Sequence, residues 1–470
     1  MQVVIGIDSS TQSTKALAVD VDSGAVLGRG RAGHTVSGGA GRESDPREWW
    51  RALGEAVAGT GHADRAAAVS VGGQQHGLVT LDRAGEPVRP ALLWNDVRSA
   101  PQAAALVAER GAETWARRAG SVPGASFTAA KWQWLREHEP EAADRTAAVR
   151  LPHDYLTERL TGVAATDRGD ASGTGWWTPD GYDTELLARL GLTESMLPRV
   201  VGAGQPAGSV LPGLPLPAGA LVAAGTGDNM AAALGLGLRP GVPVLSLGTS
   251  GTVYAVTPGR PADAGGTVCG FADALDAWLP LACTLNCTLA VDRVAALIGR
   301  DREAVEPGGS AVVLPYFDGE RTPDLPYASA LFHGLRHDTT PGQLLQAAYD
   351  GAAFSLLAAL DQVLAAGGAE TAEGTGGELL LIGGGARGRA WQQTVRRLSG
   401  RPVRIPAAEE LVALGAAAQA AGLLTGERAD EVARRWGTAE GELLEPLPRD
   451  TEALERMVDT LRRSGTLFES

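Results

Sequence analysis

An α/β chain built as two similar halves facing one cleft is what the sequence predicts, on three observations. First, the apolar strand Val3-Val4-Ile5-Gly6-Ile7-Asp8, a hydroxyl-rich turn from Ser9 to Lys15 and a second apolar strand from Ala16 to Asp20 form a hairpin pattern. That pattern returns at Val242 to Leu247, Gly248-Thr249-Ser250-Gly251 and Thr252 to Val256. Second, two buried strands run through glycines into helices, Leu221 to Met230 and Leu379 to Arg387. Third, 470 residues with 44% apolar and 20% charged side chains exceed one ordinary core and suit two or three globular domains.

Composition excludes several classes of function. A net charge of −14 without a basic cluster argues against a nucleic-acid or anionic-membrane surface. No run reaches transmembrane length, and Met1-Gln2-Val3-Val4-Ile5 lacks the basic start of a signal peptide, so a cytoplasmic protein is expected. Cys269, Cys283 and Cys287 are too few for a disulfide framework. The Cys283/Cys287 pair has no second ligand pair nearby, and buried thiols are expected rather than a metal site. Of the 41 basic residues only Lys15 and Lys131 are lysines. In a chain that otherwise uses Arg as its cation, a Lys points to a site wanting a compact amine.

In the first half, the tip of the hairpin at residues 9–15 offers N–H groups, hydroxyls and an amine suited to phosphate oxygens, and Asp8 suits a magnesium ion or its waters. A polar surface hairpin is the plainer alternative. Glu48 to Ala58 reads as an amphipathic helix with Trp49, Trp50, Leu53 and Val57 inward. The strand from Ala67 to Gly73 delivers Gln75 and His76 to a loop, where they could read a hydroxylated ligand or simply hydrogen-bond within a turn. Gly124 to Leu135 reads as a capped loop entering a Trp-rich helix whose Trp132 and Trp134 belong to packing. Thr166 to Trp177 is a polar, Gly-containing segment of the kind that lines a cleft.

At the centre, Leu221 to Ala224 reads as a strand, Gly225-Thr226-Gly227 as a tight turn, and Asp228-Asn229 as the start of a helix. Asp228 could cap that helix or act as a catalytic base, and these ten residues alone favour the cap. Further on, Leu379 to Ile382 and the glycines 383–385 put N–H groups before a helix from about Ala390, a seat for phosphate or nucleotide. The spacing is neither Gly-x-Gly-x-x-Gly nor Gly-x4-Gly-Lys-Ser/Thr, so neither a Rossmann nor a P-loop protein is indicated. Leu411 to Leu424 reads as an Ala-rich buried helix and Thr451 to Arg463 as a charged amphipathic one.

Taken together these pieces resemble the FGGY carbohydrate kinases over nearly the whole chain. Ile7-Asp8-x2-Thr11-x3-Lys15 and Leu247-Gly248-Thr249-Ser250-Gly251 are similar to that family's two phosphate-binding turns. Ser126-x-Thr128-x2-Lys131-Trp132-x-Trp134-Leu135-x-Glu137 fits its first signature. Ala330-x-Phe332-x-Gly334-Leu335 with Gln343-Leu344-x2-Ala347-Ala348-Tyr349-Asp350 fits its second, and Gly384-Gly385-Ala386 resembles its adenosine-binding turn. Gln75-His76-Gly77, Leu93-Trp94-Asn95-Asp96, Gly227-Asp228-Asn229 and Thr322-Pro323 are similar to the members acting on xylulose. Two residues depart from the usual pattern. Ser10 stands where many members have Gly, which a turn tolerates if φ is negative there, and Gln75 stands where many have Met.

The resemblance implies two actin-like, ribonuclease-H-like domains with the site between them, residues 1–225 and 226–440, and a terminal segment 441–470 whose helix packs back on the first domain. It implies ATP-dependent phosphorylation of D-xylulose to its 5-phosphate, with Mg2+ and in-line transfer. Asp228 is then the base, working at an ordinary pKa, with Gln75, His76 and Asn229 on the sugar. Thr11, Lys15, Gly248 and Thr249 take the phosphates, Gly384, Gly385 and Ala386 the adenosine, and Asp8 the metal through water. A homodimer is the family-level expectation. A kinase for L-ribulose, glycerol or gluconate, or an inactive nucleotide-gated sugar sensor, are the alternatives.

Overall fold

The computed structural model describes residues 2–38, 41–368 and 377–468. The first sheet holds β1 (Val3–Ser9), β2 (Ser13–Asp20), β3 (Val26–Gly33), β4 (Ala66–Gly73), β5 (Pro206–Ser209) and β6 (Leu221–Ala223), in the order β5-β6-β4-β1-β2-β3. β1, β2 and β3 form an antiparallel meander, β1, β4 and β6 run parallel, and β5 closes the edge antiparallel to β6. The second sheet holds β7 (Pro243–Leu247), β8 (Gly251–Ala255), β9 (Cys269–Ala272), β10 (Trp278–Thr284), β11 (Leu379–Ile382), β12 (Val403–Pro406) and β13 (Gly441–Leu444), in the order β9-β10-β8-β7-β11-β12-β13. Its β10-β8-β7 meander, parallel β7-β11-β12 and antiparallel edge β13 repeat the first sheet strand for strand. The duplication read in the two hairpins therefore extends to six strands of each sheet, with β9 added at the edge of the second.

Continuous apolar runs form these central strands because both sheet faces are covered. Along β1, Val3, Ile5 and Ile7 face one core with Trp49, Leu53 and Val57 of the helix α1 (Pro46–Gly59), while Val4 faces the other with Ala413, Ala417 and Ala421. Period-two alternation of one strand thus serves two cores. A short helix α2 (Arg168–Ala171) lies buried in the first half. The second sheet packs one face on the long helix α4 (Pro341–Ala366) and the other on Met230 and Leu234 of α3 (Asp228–Gly235).

The third layer lies between the sheets. Helix α5 (Leu411–Thr425), although late in sequence, covers the first sheet, while α3 covers the second, and the two helices meet backbone to backbone. A Cβ at Gly415 would lie 1.8 Å from the Ala231 carbonyl oxygen, and one at Gly235 would lie 2.0 Å from that of Leu411. Only glycine allows this approach.

The terminal segment corrects one expectation. β13 is the edge of the second sheet, and α6 (Thr451–Arg463) buries Ala453 and Met457 in the core that α4 shares with that sheet. The helix therefore packs on the second half, not the first. An amphipathic stripe shows that one face is buried, but not which surface receives it. Among the described residues no helix is long and apolar enough to cross a membrane.

Candidate active site

The strand reaching Asp228 is built differently from the tight turn expected. β6 breaks at Gly225, whose φ of 77° places its Cα against the Val71 carbonyl, where a Cβ would lie 2.5 Å away. Thr226 and Gly227 then resume parallel pairing with Gly72 and Gly73, and α3 begins at once with Asp228. Asp228 is the first helical residue rather than the cap. Its Oδ1 accepts from the Asn229 backbone N–H at 2.8 Å and from Asn229 Nδ2 at 3.0 Å. Asn229 Nδ2 also donates to Gln75 Oε1 at 2.7 Å, so the central helix and the loop after β4 are joined at one point. That contact depends on Gly227, where a Cβ would lie 2.5 Å from the Gln75 side chain.

Asp228 and Asn229 line a cavity of about 560 Å³ together with Asp8, Lys15, Ser246 and the turn after β11. Asp8, next to last in β1, is buried and accepts from Ser10 Oγ at 2.6 Å. Ser10 does not have positive φ, so the side chain is tolerated and adds a hydroxyl to the turn. Burial pushes the Asp8 carboxyl up to about 6, with Ser10 and Lys15 opposing. Burial, reinforced by the Asp8 carboxylate, pushes Asp228 up to about 7, so it is not a carboxyl of ordinary pKa.

Lys15 Nζ lies 2.5 Å from Glu410 Oε2 and 3.9 Å from Asp8 Oδ2. Glu410, at the start of α5 with a left-handed φ of 56°, was not read from the sequence as part of the site. A Glu beside a helix start looks like an ordinary favourable charge. Thr11 sits between β1 and β2 and its Oγ1 accepts from Trp94 Nε1 at 3.1 Å. Gly248 and Thr249 form the matching tip between β7 and β8, held by Thr288, which donates its N–H and hydroxyl to the Gly248 carbonyl at 3.2 and 2.8 Å. Of the three residues expected at adenosine, Gly384 and Ala386 line the cavity. Gly385 does not. It is buried, with Leu247 and Thr288 where its Cβ would be.

His76 is buried, has φ of 62°, and is stacked on Phe127 with ring centroids 5.6 Å apart. Burial, with Lys131 and Arg321 nearby, pushes its pKa down to about 3, so it is a neutral imidazole. Lys131 is wholly buried and donates to the Ala125 carbonyl at 2.6 Å, which makes it a support for its loop. Among the described residues no group of three or more His, Cys, Asp or Glu could hold a metal ion. Asp8 alone nevertheless suits Mg2+, which keeps several waters and takes few protein ligands. A cation there would also relieve the crowding of Asp8 against Asp228.

The model of the FGGY family of carbohydrate kinases, N-terminal domain, matches residues 3–235, and that of its C-terminal domain matches 244–423. The chain is 68% identical to a xylulose kinase of Streptomyces coelicolor, covering 99% of this chain and 97% of that one. It is 67% identical to one of Streptomyces rubiginosus with the same coverage. The crystal structure of xylulose kinase from Bifidobacterium adolescentis superposes with a TM-score of 0.84 at 35% identity, covering 98% of this chain and 99% of that one. With both family domains matched along one continuous chain and the cavity lying where their helices cross, the protein belongs to the FGGY family of carbohydrate kinases.

Proposed function

We propose that the protein transfers the γ-phosphoryl group of ATP to the terminal hydroxyl of D-xylulose, giving D-xylulose 5-phosphate and ADP. The observation that carries this reading is the convergence of Asp228, Asp8, Lys15 and the Gly384–Ala386 turn on one cavity. Two relatives at 67–68% identity bear the name xylulose kinase, which supports the choice of sugar.

Phosphoryl transfer asks for alignment and charge neutralisation more than covalent work. Gln75, His76 and Asn229 hold the sugar, and the Asn229–Gln75 hydrogen bond fixes both amides in advance. Asp228 accepts the hydroxyl proton as the sugar oxygen bonds to phosphorus and the bond to the β-phosphate breaks, releasing ADP. The turns at Thr11 and at Gly248–Thr249 receive the phosphates, and Gly384 and Ala386 form the adenosine side, with Gly385 packed behind them. Lys15 must exchange Glu410 for a phosphate oxygen. Asp8 is the residue that would hold Mg2+, which supplies positive charge at the phosphate oxygens when bound.

ADP release with MgATP is expected on D-xylulose and not, at comparable kcat/KM, on L-ribulose, D-ribulose, glycerol or gluconate. Preference for another member of that panel would overturn the sugar assignment and direct attention to Gln75. No turnover on any, with ATP still bound, would overturn the kinase reading.

A pH dependence follows from the two cavity acids. Asp8 and Asp228 are pushed up to about 6 and about 7 and repel one another, so they titrate as a pair. The base must be ionised, so kcat/KM for the sugar should fall about tenfold per pH unit below about 7. Stability has the opposite sense. A carboxyl with a raised folded-state pKa binds more protons folded than unfolded between its ordinary value and about 7, so its contribution to stability falls as pH rises through that window. A kcat/KM flat from pH 5 to 8 would contradict the assignment.

A further inference from the structure

Behind the sugar side of the site lies a set of buried acids that the proposed chemistry does not use. His153 Nε2 lies 3.3 Å from Asp154, 3.6 Å from Asp167 and 3.4 Å from Asp170. All four side chains are 3% exposed or less. Asp167 is anchored, accepting from Thr226 Oγ1 at 2.6 Å and from the Gly169 and Asp170 N–H groups at 2.8 and 3.0 Å, so it fastens α2 to the strand that delivers Asp228. Asp170 is different. Its Oδ2 has no hydrogen-bond partner, and its Oδ1 faces the loop after β4, accepting the His76 backbone N–H at 3.4 Å and lying 3.9 Å from His76 Nδ1.

That geometry bears on which nitrogen of His76 carries its single proton. Nδ1 is sealed from solvent and has no hydrogen-bond partner. Gly173 holds this edge inward, since a Cβ there would lie 2.1 Å from Nδ1. Asp170 Oδ1, 3.9 Å from Nδ1, already accepts a backbone N–H, so it faces Nδ1 as an acceptor whether Asp170 is ionised or carries a proton on Oδ2 toward His153. A buried nitrogen facing an acceptor is stable only as N–H.

We infer that Asp170 is a positioning residue that holds His76 as the Nδ1–H tautomer, leaving Nε2 as a hydrogen-bond acceptor for a sugar hydroxyl. This rests on the reading that His76 meets the sugar. A hydroxyl that donates to Nε2 is discriminated from a group that cannot, and the ring reaches the ligand already in the accepting form.

The test is a cycle of His76→Asn and Asp170→Ala, which removes the acceptor that an amide would keep, with D-xylulose and ATP varied separately. Asn tolerates the left-handed backbone at 76 but does not reach the Nε2 position. Each variant is expected to raise the sugar KM more than about tenfold with the ATP KM within about twofold of native, and the double variant to be no worse than His76→Asn alone. Losses that multiply, or an Asp170→Ala variant with native sugar KM beside an impaired His76→Asn, would overturn the inference. A native sugar KM in His76→Asn would instead overturn the contact between His76 and the sugar. Imidazole 15N shifts of the native protein, with His76→Asn identifying the signal, need no Asp170 variant to fold. A protonated Nδ1 is expected, and a protonated Nε2 would overturn the inference by itself.

Discussion

Asp228→Asn should lose roughly 10²-fold or more of kcat while binding ATP as before. The substitution keeps the size of the side chain and the acceptor oxygen for the Asn229 N–H, so α3 has no reason to shift. What it removes is the only feature the chemistry needs, a carboxylate that can take a proton beside the sugar. The fold should not suffer. Burial and Asp8 make the ionised Asp228 unfavourable in the folded chain, so above neutral pH the amide should melt no lower than the native protein. Loss of turnover with an unchanged or higher Tm separates a catalytic role from a structural one. Native turnover in a folded variant would remove Asp228 from the mechanism.

Gly415→Ala carries the second large effect, from a residue that touches no substrate. Its new methyl would meet the Ala231 carbonyl oxygen at 1.8 Å and the Gly235 nitrogen at 2.7 Å, all backbone atoms that cannot swing aside. Helices α3 and α5 must move apart, and forced repacking of this kind costs about 1–3 kcal/mol. Because α3 starts with Asp228 and α5 follows directly on Glu410, the same movement displaces the base and the partner of Lys15. A displacement of about 1 Å at the reacting groups can cost on the order of 10² in rate. Lower Tm and lower kcat together are expected. A lower Tm with native kcat would show that the helix crossing supports the fold without setting the site.

The sequence was most legible where a local pattern and the tertiary structure make the same demand. The apolar runs of β1, β2, β7 and β8 are continuous because both sheet faces are covered, and their shared hairpin grammar led to two sheets of one topology. Trp132 and Trp134 were assigned to packing and are buried. Less legible was anything fixed by a distant partner. Lys15 was singled out by rarity, but nothing local names Glu410, 395 residues away, as its partner. Gly385 looked equivalent to Gly384, and only the position of Leu247 and Thr288 turns it inward. The segment from Thr166 to Trp177 reads as a cleft lining from its polar composition, yet Asp167 and Asp170 lie inside the wall. His153 gathers its own neighbour Asp154 and, from α2 and its cap, Asp170 and Asp167, and that meeting of two short segments leaves no periodicity to read.

The most direct measurement follows the D-xylulose reaction by 31P NMR, with the native chain and Asp228→Asn in parallel under MgATP. The account predicts a new phosphomonoester signal coupled to the two C5 protons, growing with ADP in the native reaction and nearly absent in the variant. Inorganic phosphate in place of that ester, or the ester formed equally fast by the variant, would contradict it.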